Sequence, residues 1–291
     1  MKLGLQIPNF TWAGGPATLG SDLAAVARTA DQAGFDYVGV MDHFFQIRGV
    51  GPSENDMLEA YTTLGFLAAH TERAKLLTVI TGVIYRHPGL LAKTITTLDV
   101  LSGGRAVLGI GAGWNEEESK GLGFPFPPTA ERFELLEENL QYILQMWGEG
   151  DAAFSSKHFE AERLLNSPQV LSRPHPPIMI GGGGEKKTLR FVAKYGDACN
   201  IFNTPDVEHK LDVLKQHCEN EGRDYNEITK TAYHTLDIGE KGEKAGELLA
   251  DLERLHNLGF DAAIGSVPGV PDVSLLEKFA TDVIPAAEKL V

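Results

Sequence analysis

The chain has 291 residues, of which 43% are hydrophobic and 23% charged, as in an ordinary globular protein. Its formal net charge of −14 argues against nucleic acid or an anionic membrane surface as a partner. The N-terminus MKLGLQIPNF is too short and too polar for a signal peptide, and no segment approaches ~18 apolar residues in a row. We therefore expect a cytoplasmic protein with one domain over residues 1–291 and a small molecule as its substrate.

Eight short apolar runs follow one another along the chain, and patterns of helical period separate them. Most runs are continuous rather than alternating in hydrophobicity, as is typical of strands that are buried on both faces. In chain order, the predicted strands are Leu3–Ile7, Tyr37–Met41, Leu76–Val83, Ala106–Gly111, Pro177–Ile180, Ala198–Phe202, Thr231–Ile238 and Ala262–Val267.

Amphipathic helices are predicted between the strands, because apolar residues recur there at intervals of three and four. Ser21 and Asp22 are predicted to precede the first helix and Gly34 to follow it, as N-cap and C-cap residue types do. Pro88 is predicted at the first position of a helix, and Asp272 caps the last one. The apolar stripes are Leu23, Val26, Ala27, Ala30; Leu91, Thr94, Ile95, Leu98; Phe133, Leu136, Leu140, Ile143; Leu211, Leu214, Cys218; Leu248, Leu249, Leu252, Leu255; and Leu275, Leu276, Phe279, Val283.

Eight strands in alternation with helices predict an α/β fold, and the count of eight favours a closed (β/α)8 TIM barrel. An open doubly wound sheet is the alternative, although it usually has fewer strands and a phosphate loop after the first. Two stretches are additions to the connections that a minimal barrel needs: residues 115–130 after the fourth strand and 150–176 before the fifth. We interpret both as insertions at the C-terminal ends of strands, where they shape a substrate pocket. They contain four phenylalanines that hint at an apolar substrate: Phe124, Phe126, Phe154 and Phe159.

Polar and aromatic residues follow the predicted strands at their carboxyl ends, where barrels of this kind carry their chemistry. Asp42 and His43 come directly after the second strand. An imidazole in this place can serve as a general acid or base, and Asp42 can orient it or contact a ligand. A solvated pair of loop residues is the alternative interpretation. Other strand-end residues include Asn9, Phe45, Tyr85, Trp114 and Asn115.

The stretch GGGGEKKT, residues 181–188, directly follows the fifth strand and opens a helix. Its four glycines expose backbone N–H groups, and the helix N-terminus adds a positive partial charge. Lys186 and Lys187 add local positive charge. The stretch therefore favours a phosphate, with a plain flexible turn as the alternative. The dinucleotide fingerprint GxGxxG is absent after the first strand.

The remaining titratable residues predict no further chemistry. No histidine or cysteine has metal-ligand spacing, so we predict no metal site, and Cys199 and Cys218 are predicted to be buried free thiols. His87 precedes Pro88 and is interpreted as part of a helix N-terminus. The acids of residues 116–118 are interpreted as the first turn of a helix, where carboxylates are favourable.

Three segments together resemble one known family. They are GFDYVGVMDHF, TGVIYRHPGLLAKTITTLDVLSGGRAVLGIGAGWNEEE and PPIMIGGGGEKK. They are similar to the luciferase-like monooxygenase superfamily, and within it to the oxidoreductases that depend on coenzyme F420. The resemblance runs from residue 1 to about residue 205 and more weakly to the end.

The resemblance implies a TIM barrel that holds a flavin or deazaflavin at its mouth. It implies a bulge in the third strand, with a non-prolyl cis peptide expected at Gly82–Val83, and room for the cofactor's ribityl chain beside the glycines of the fourth strand. His43 and Asp42 are the implied catalytic residues, and Asn9, Phe45 and Trp114 are the candidate substrate residues. The candidate cofactor residues are Asp42, Thr81, Gly82, Val83, Tyr85, Gly111, Ala112, Gly113, Trp114, Gly181, Gly182, Gly183, Gly184, Glu185 and Lys186.

One position departs from the family pattern. The related sugar-phosphate dehydrogenases carry a catalytic glutamate directly after the last glycine of the fourth-strand motif, where this chain has Trp114, and Glu117 is out of register. We therefore do not carry over a sugar substrate. The expected function is an enzymatic hydride transfer between F420 and a small organic substrate by a homodimer. The alternatives are an FMN-dependent monooxygenase, for which oxygen is a co-substrate, and a non-catalytic flavin-binding relative.

Overall fold

The fold is a closed barrel of eight parallel strands, described by a computed structural model for residues 1–290. Each of the eight positions is called a stave below, because the third is divided into two shorter strands. The first stave pairs with the second and with the last, and all neighbouring staves are parallel. This confirms the predicted TIM barrel. The strands are β1 (Lys2–Ile7), β2 (Tyr37–Val40), β3 (Lys75–Thr78), β4 (Thr81–Gly82), β5 (Ala106–Gly111), the outer hairpin β6 (Phe154–Ser155) and β7 (Glu160–Ala161), β8 (Ile178–Gly181), β9 (Ala198–Phe202), β10 (Thr229–Tyr233) and β11 (Ala262–Gly265).

Helices surround the staves and cover the outer face of the barrel. Apolar residues between the helices and the strands form the larger core, and the predicted helical stripes supply much of it. The helices are α1 (Pro16–Ala33), α2 (Ala60–Ala68), α3 (Pro88–Ser102), α4 (Glu116–Leu122), α5 (Thr129–Trp147), α6 (Thr188–Tyr195), α7 (Val207–Glu221), α8 (Ala245–Asn257), α9 (Val273–Lys278) and α10 (Ile284–Ala287), with a 3-10 turn at Tyr225–Glu227 and a π-helical turn at Phe279–Val283.

The third stave carries a bulge between β3 and β4. Leu77 pairs with Val107, an offset of 30 residues, whereas Thr81 pairs with Ile110, an offset of 29, so the stave holds one extra residue. The non-prolyl cis peptide lies in this bulge, between Val79 and Ile80. The expectation of a cis peptide at Gly82–Val83 is therefore wrong by three residues. Gly82 is paired in β4 with Gly111, which places it beyond the irregular part of the stave.

A second, smaller core fills the interior of the barrel. Side chains from the staves meet there in a layer below the mouth, and Ile80 and Tyr233 pack against this layer from above. A hydrogen bond joins two polar groups at this layer: the Tyr233 hydroxyl donates to Gln6 Oε1 at 2.6 Å. The interior is thus a packed core and not a channel. Its apolar layer consists of Tyr37, Leu77, Val79, Val107, Met179, Ala198, Ala262 and Ile264.

Most helix ends agree with the sequence, and one does not. Pro88 occupies the first position of α3, and Asp272 caps α9 by accepting from the Ser274 N–H at 3.0 Å. Gly34 ends α1 with a φ of 106°, a conformation that glycine adopts without strain. The expected start of α1 after Ser21 and Asp22 is wrong, because Pro16 opens the helix about two turns earlier.

The two inserted stretches lie in different places. Residues 115–130 follow β5 and contain α4, so they lie at the mouth as expected. Residues 150–176 follow the C-terminal end of α5 and precede β8, so they begin at the opposite end of the barrel. From there they run along the outside of α3 and α5, where Asn166 accepts from Lys93 and Leu171 donates to Asp99. The interpretation of this second stretch as a strand-end loop is wrong for that reason.

Both cysteines are buried and free, as expected. Burial raises the pKa of the Cys199 thiol to about 12 and also raises that of Cys218. No group of three or more metal-ligating side chains occurs within residues 1–290. In the same range, every helix is too short or too polar to cross a membrane.

Candidate functional site

The floor of the barrel mouth is the bulge of the third stave. Three glycines on neighbouring staves leave space for it. A Cβ at Gly109 would lie 2.1 Å from the Thr78 carbonyl oxygen, and one at Gly181 would lie 2.4 Å from Ile80 Cγ1. A Cβ at Gly111 would lie 3.3 Å from Ile80 Cγ2. These glycines therefore accommodate the bulge directly, whereas the resemblance led us to expect a cofactor chain against those of the fourth stave.

A buried ion pair lies beside this floor. Asp42 is 1% exposed and accepts two hydrogen bonds from Arg86, at 2.8 and 3.0 Å, and one from the Gly82 N–H at 3.3 Å. Arg86 also donates to Glu59 and lies over the ring of Tyr61. Burial alone would lower the pKa of the Arg86 guanidinium, but the Asp42 and Glu59 carboxylates raise it above its ordinary value. The carboxylate of Asp42 therefore ties the β2 loop to β4 and the residues that follow it.

His43 lies next to this ion pair and contacts a carboxylate from another element. Its Nδ1 is 2.6 Å from Glu118 Oε1, and Tyr85 donates its hydroxyl to the same oxygen. The other oxygen, Oε2, accepts from the backbone N–H groups of Phe44 and Phe45 at 2.7 and 3.1 Å. Glu118 is 0% exposed although it lies in the first turn of α4, where Asn115 is the N-cap. This carboxylate joins the loops after β2 and β5.

The electrostatics of the cluster follow from these contacts. Burial alone would raise the pKa of Glu118, but hydrogen bonds from His43, Tyr85 and Phe44 outweigh it and hold that pKa below its ordinary value. Burial raises the pKa of Tyr85, and the neighbouring Glu118 carboxylate raises it further. Glu118 is therefore an ionised acceptor, and Tyr85 is a neutral donor.

Trp114 covers His43 from the solvent side. The indole and imidazole rings meet edge to face with centroids 5.3 Å apart, and Trp114 remains 62% exposed. Trp114 and Phe45 line one cleft of about 260 Å³ together with Arg48, Ser53 and other residues of the β2 and β5 loops. Two of the three predicted substrate residues, Phe45 and Trp114, therefore border one cavity, and Trp114 also contacts His43.

The predicted glycine loop lies on the far side of the floor. Gly182 has a φ of 114° and donates its N–H to the Asn200 carbonyl. Within residues 1–290, the N–H groups of Gly183, Gly184 and Glu185 have no hydrogen-bond acceptor. Three successive donors without an acceptor are available to an anion at this place.

A lysine that sequence analysis did not single out lies beside this loop. A Cβ at Gly183 would lie 3.9 Å from Cε of Lys210, on α7. The Lys210 ammonium forms ion pairs with Glu185 and Asp206. By contrast, Lys186 and Lys187 are exposed. The cation packed against the loop therefore comes from a helix more than twenty residues further along the chain, and the Glu185 and Asp206 carboxylates offset its charge.

The remaining predicted site residues have structural contacts. Thr81 is buried and shares its hydroxyl with Thr78 and Tyr61, at 2.6 Å each. Val83 is 4% exposed. Asn9 is half-buried, and its side chain accepts from the Thr11 N–H at 3.2 Å in a local turn. These residues shape the mouth from below or from its edge, whereas Phe45 and Trp114 line one cavity and Trp114 also contacts His43.

Three of the four phenylalanines of the insertions separate into two groups. Phe124 packs against Phe44 and Tyr85, with ring centroids 5.0 and 5.4 Å apart, and so lies near the mouth. Phe154 and Phe159 pack against Tyr142 on the outside of the barrel. Among these three, Phe124 alone therefore supports the expectation of an apolar substrate.

Sequence reasoning also missed the partners of His43 and Asp42, which are Glu118 and Arg86. Glu118 stands in a run of three glutamates, and the other two are exposed at 57% and 52%, with Glu116 paired to Lys120 and Glu117 to Arg48. The position of Glu118 within the helix was the available signal. Asn115 caps α4, and Glu118, the third residue of that helix, turns back over the strand ends.

Comparison with known proteins gives one family and several relatives. A family model described as luciferase-like monooxygenase matches residues 1–272. An F420-dependent glucose-6-phosphate dehydrogenase of Kineococcus radiotolerans is 32% identical over 232 residues, which is 77% of this chain and 66% of that relative. The chain thus spans about two thirds of the length of this curated relative.

Two solved structures share the fold at low sequence identity. An F420-dependent secondary alcohol dehydrogenase in complex with an F420–acetone adduct has a TM-score of 0.80 at 18% identity, with 98% of each chain covered. A riboflavin lyase with modified FMN and riboflavin has a TM-score of 0.83 at 13% identity, covering 99% of this chain and 91% of that one. Deazaflavin and flavin proteins thus occur side by side among the structural neighbours.

Proposed function

Because the chain belongs to the luciferase-like monooxygenase family, we propose that it is an F420-dependent oxidoreductase that moves a hydride between the deazaflavin and a small organic substrate. The observation that carries the proposal is the position of His43, which is 11% exposed at the mouth and anchored at Nδ1 by Glu118. The identity of 32% to an F420-dependent dehydrogenase supports the choice of cofactor.

The residues at the mouth fit a phosphorylated flavin-type cofactor. The free N–H groups of Gly183, Gly184 and Glu185 would hold its phosphate, with Lys210 beside them. Ile80 and Tyr233 offer an apolar floor for a planar ring, and both pack against the interior of the barrel. When bound, F420 supplies a two-electron hydride donor or acceptor at C5 of its ring.

The residues of the chain would then serve orientation and proton transfer. His43 would give or take the proton that accompanies hydride transfer, and it would do so at Nε2, since Nδ1 is engaged by Glu118. Asp42 contributes indirectly, because both of its carboxylate oxygens are occupied by Arg86. Trp114 and Phe45 would contact the substrate and keep water away from His43.

A titration of the purified protein tests the cofactor. Fluorescence quenching with F420 and with FMN should give tight binding of F420, and micromolar binding of FMN with no response to F420 would refute the proposal. The variant Gly183→Asp should weaken binding at least tenfold by placing a carboxylate at the phosphate site. Gly183→Ala is the matched control, because its Cβ meets nothing closer than 3.8 Å.

An FMN-dependent monooxygenase is the second candidate. The structural likeness to a riboflavin lyase with modified FMN favours it, because the same barrel holds a flavin there. Under this alternative FMN alone binds and substrate turnover consumes oxygen. Turnover under strict exclusion of oxygen separates the two candidates, since only hydride transfer to or from F420 proceeds without it.

A further inference from the structure

The carboxylate of Glu118 has four hydrogen-bonding neighbours and no exposure to solvent. Oε2 faces the N–H groups of Phe44 and Phe45, while Oε1 faces Nδ1 of His43 and the hydroxyl of Tyr85. A backbone N–H can only donate, so Oε2 must be an unprotonated acceptor. The two backbone N–H groups therefore determine the orientation of a side chain that replaces Glu118, because an acceptor atom must face them.

The other oxygen determines the protonation of the imidazole. Tyr85 donates to Oε1 and Glu118 is ionised, so Oε1 has no proton to offer to the imidazole. A contact of 2.6 Å between Oε1 and Nδ1 then requires the proton to lie on Nδ1. Within residues 1–290, the second ring nitrogen, Nε2, has no hydrogen-bond partner.

We propose that Glu118 is a positioning residue that keeps a proton of His43 on Nδ1 and leaves Nε2 free to exchange a proton in the site. The role of that proton rests on the proposed function, whereas the tautomer is a property of the protein without any ligand. The arrangement follows the logic of acid–histidine pairs, in which the carboxylate selects the tautomer and the orientation of the ring.

Replacement of Glu118 by glutamine makes a specific prediction. The amide oxygen must face Phe44 and Phe45, because an amide NH2 there would meet two donors. The NH2 group is therefore placed at the position of Oε1, where it donates to Nδ1 of His43. E118Q thus moves the imidazole proton from Nδ1 to Nε2 with almost no change in volume.

Nitrogen-15 NMR of the ligand-free protein measures this directly. The protein is labelled at the histidine ring nitrogens, His43 is assigned with an H43Q sample, and spectra are recorded over a range of alkaline pH so that the neutral form of the ring is compared. The wild type should show Nδ1 protonated and Nε2 unprotonated, and E118Q should show the reverse. E116Q is the control, because Glu116 is exposed and pairs only with Lys120, and it should match the wild type.

The outcomes separate this inference from the proposed function. A wild-type ring that carries its proton on Nε2, or an E118Q spectrum identical to the wild type, overturns the inference. E118D keeps an acceptor and should retain the wild-type tautomer, so it provides a second comparison if E118Q folds poorly. With F420 and a substrate, E118Q should lower kcat at least about 100-fold with little change in cofactor affinity. A reversed tautomer with unchanged kcat would leave the inference standing and refute the proposed role of His43.

Discussion

Replacement of Gly181 by alanine tests the idea that the glycines at the mouth make room for the bulge. The new Cβ would lie 2.4 Å from Cγ1 and 3.0 Å from Cδ1 of Ile80, so one of the two staves must move by about 1 Å to reach an ordinary contact. Overpacking of this kind costs about 1–3 kcal/mol. For a chain of this length we expect a fall of about 2–10 °C in the thermal midpoint, followed by circular dichroism.

The variant I80A supplies the decisive comparison. It removes Cγ1 and Cδ1 of Ile80 and leaves Cβ, which is 3.3 Å from the new methyl group of G181A. The cost of G181A should therefore fall to a few tenths of a kcal/mol in the I80A background, a coupling of about 1–2 kcal/mol in a double-mutant cycle. In contrast, I80A should not rescue G109A, because the nearest atom to that Cβ is the backbone oxygen of Thr78 at 2.1 Å.

Two results would refute this reasoning. If G181A costs the same stability with and without Ile80, the side chain of Ile80 is not what requires a glycine there. If G181A retains wild-type stability and loses cofactor binding, Gly181 instead serves the approach of the cofactor.

Three further predictions concern buried charges and thiols. R86A should lower the free energy of unfolding by about 3–5 kcal/mol because it leaves Asp42 unpaired. Adding D42N to R86A should recover part of that loss. Equal stability of R86A and the wild type in denaturant titrations would contradict this expectation. Burial alone would raise the pKa of Asp31, but the hydrogen bonds that its carboxylate accepts from backbone N–H groups hold that pKa below 3.8. The stabilisation by these hydrogen bonds is therefore complete above pH 3.8 and is lost as the pH falls through the folded-state pKa. D31N should cost about 1–3 kcal/mol at neutral pH and progressively less below about pH 4, and a cost that does not depend on pH would contradict this shift. Cys199 and Cys218 should not react with a thiol reagent at pH 8 until the protein is denatured, and fast labelling of the native protein would show that they are accessible.

The barrel was predictable because strand burial leaves a continuous apolar signature. Ala106–Gly111 and Ala198–Phe202 are strands with the predicted bounds, and both are almost wholly buried. The third stave was predicted as one strand, Leu76–Val83, since a bulge changes pairing without interrupting hydrophobicity. The pairing offset that reveals the bulge exists only once two strands are placed together.

The sequence shows which candidate residues follow a strand, but it does not show which side chains they contact. His43 and the glycine loop are recognisable from their place after a strand. Glu118 is chemically identical to Glu116 and Glu117 in the sequence, and only the turn of α4 buries it. Lys210 lies on α7, too far along the chain from the glycine loop for any local pattern to associate the two.

The contacts of Glu118 have a consequence for attempts to change substrate preference by exchanging loops between relatives. The segment after β5 carries the carboxylate that holds the backbone of Phe44 and Phe45 and the ring of His43. A graft of residues 115–122 alone would bring a foreign side chain under an unchanged β2 loop. These two loops are therefore physically coupled, and we expect a functional chimera to need residues 42–45 and 115–122 from the same parent.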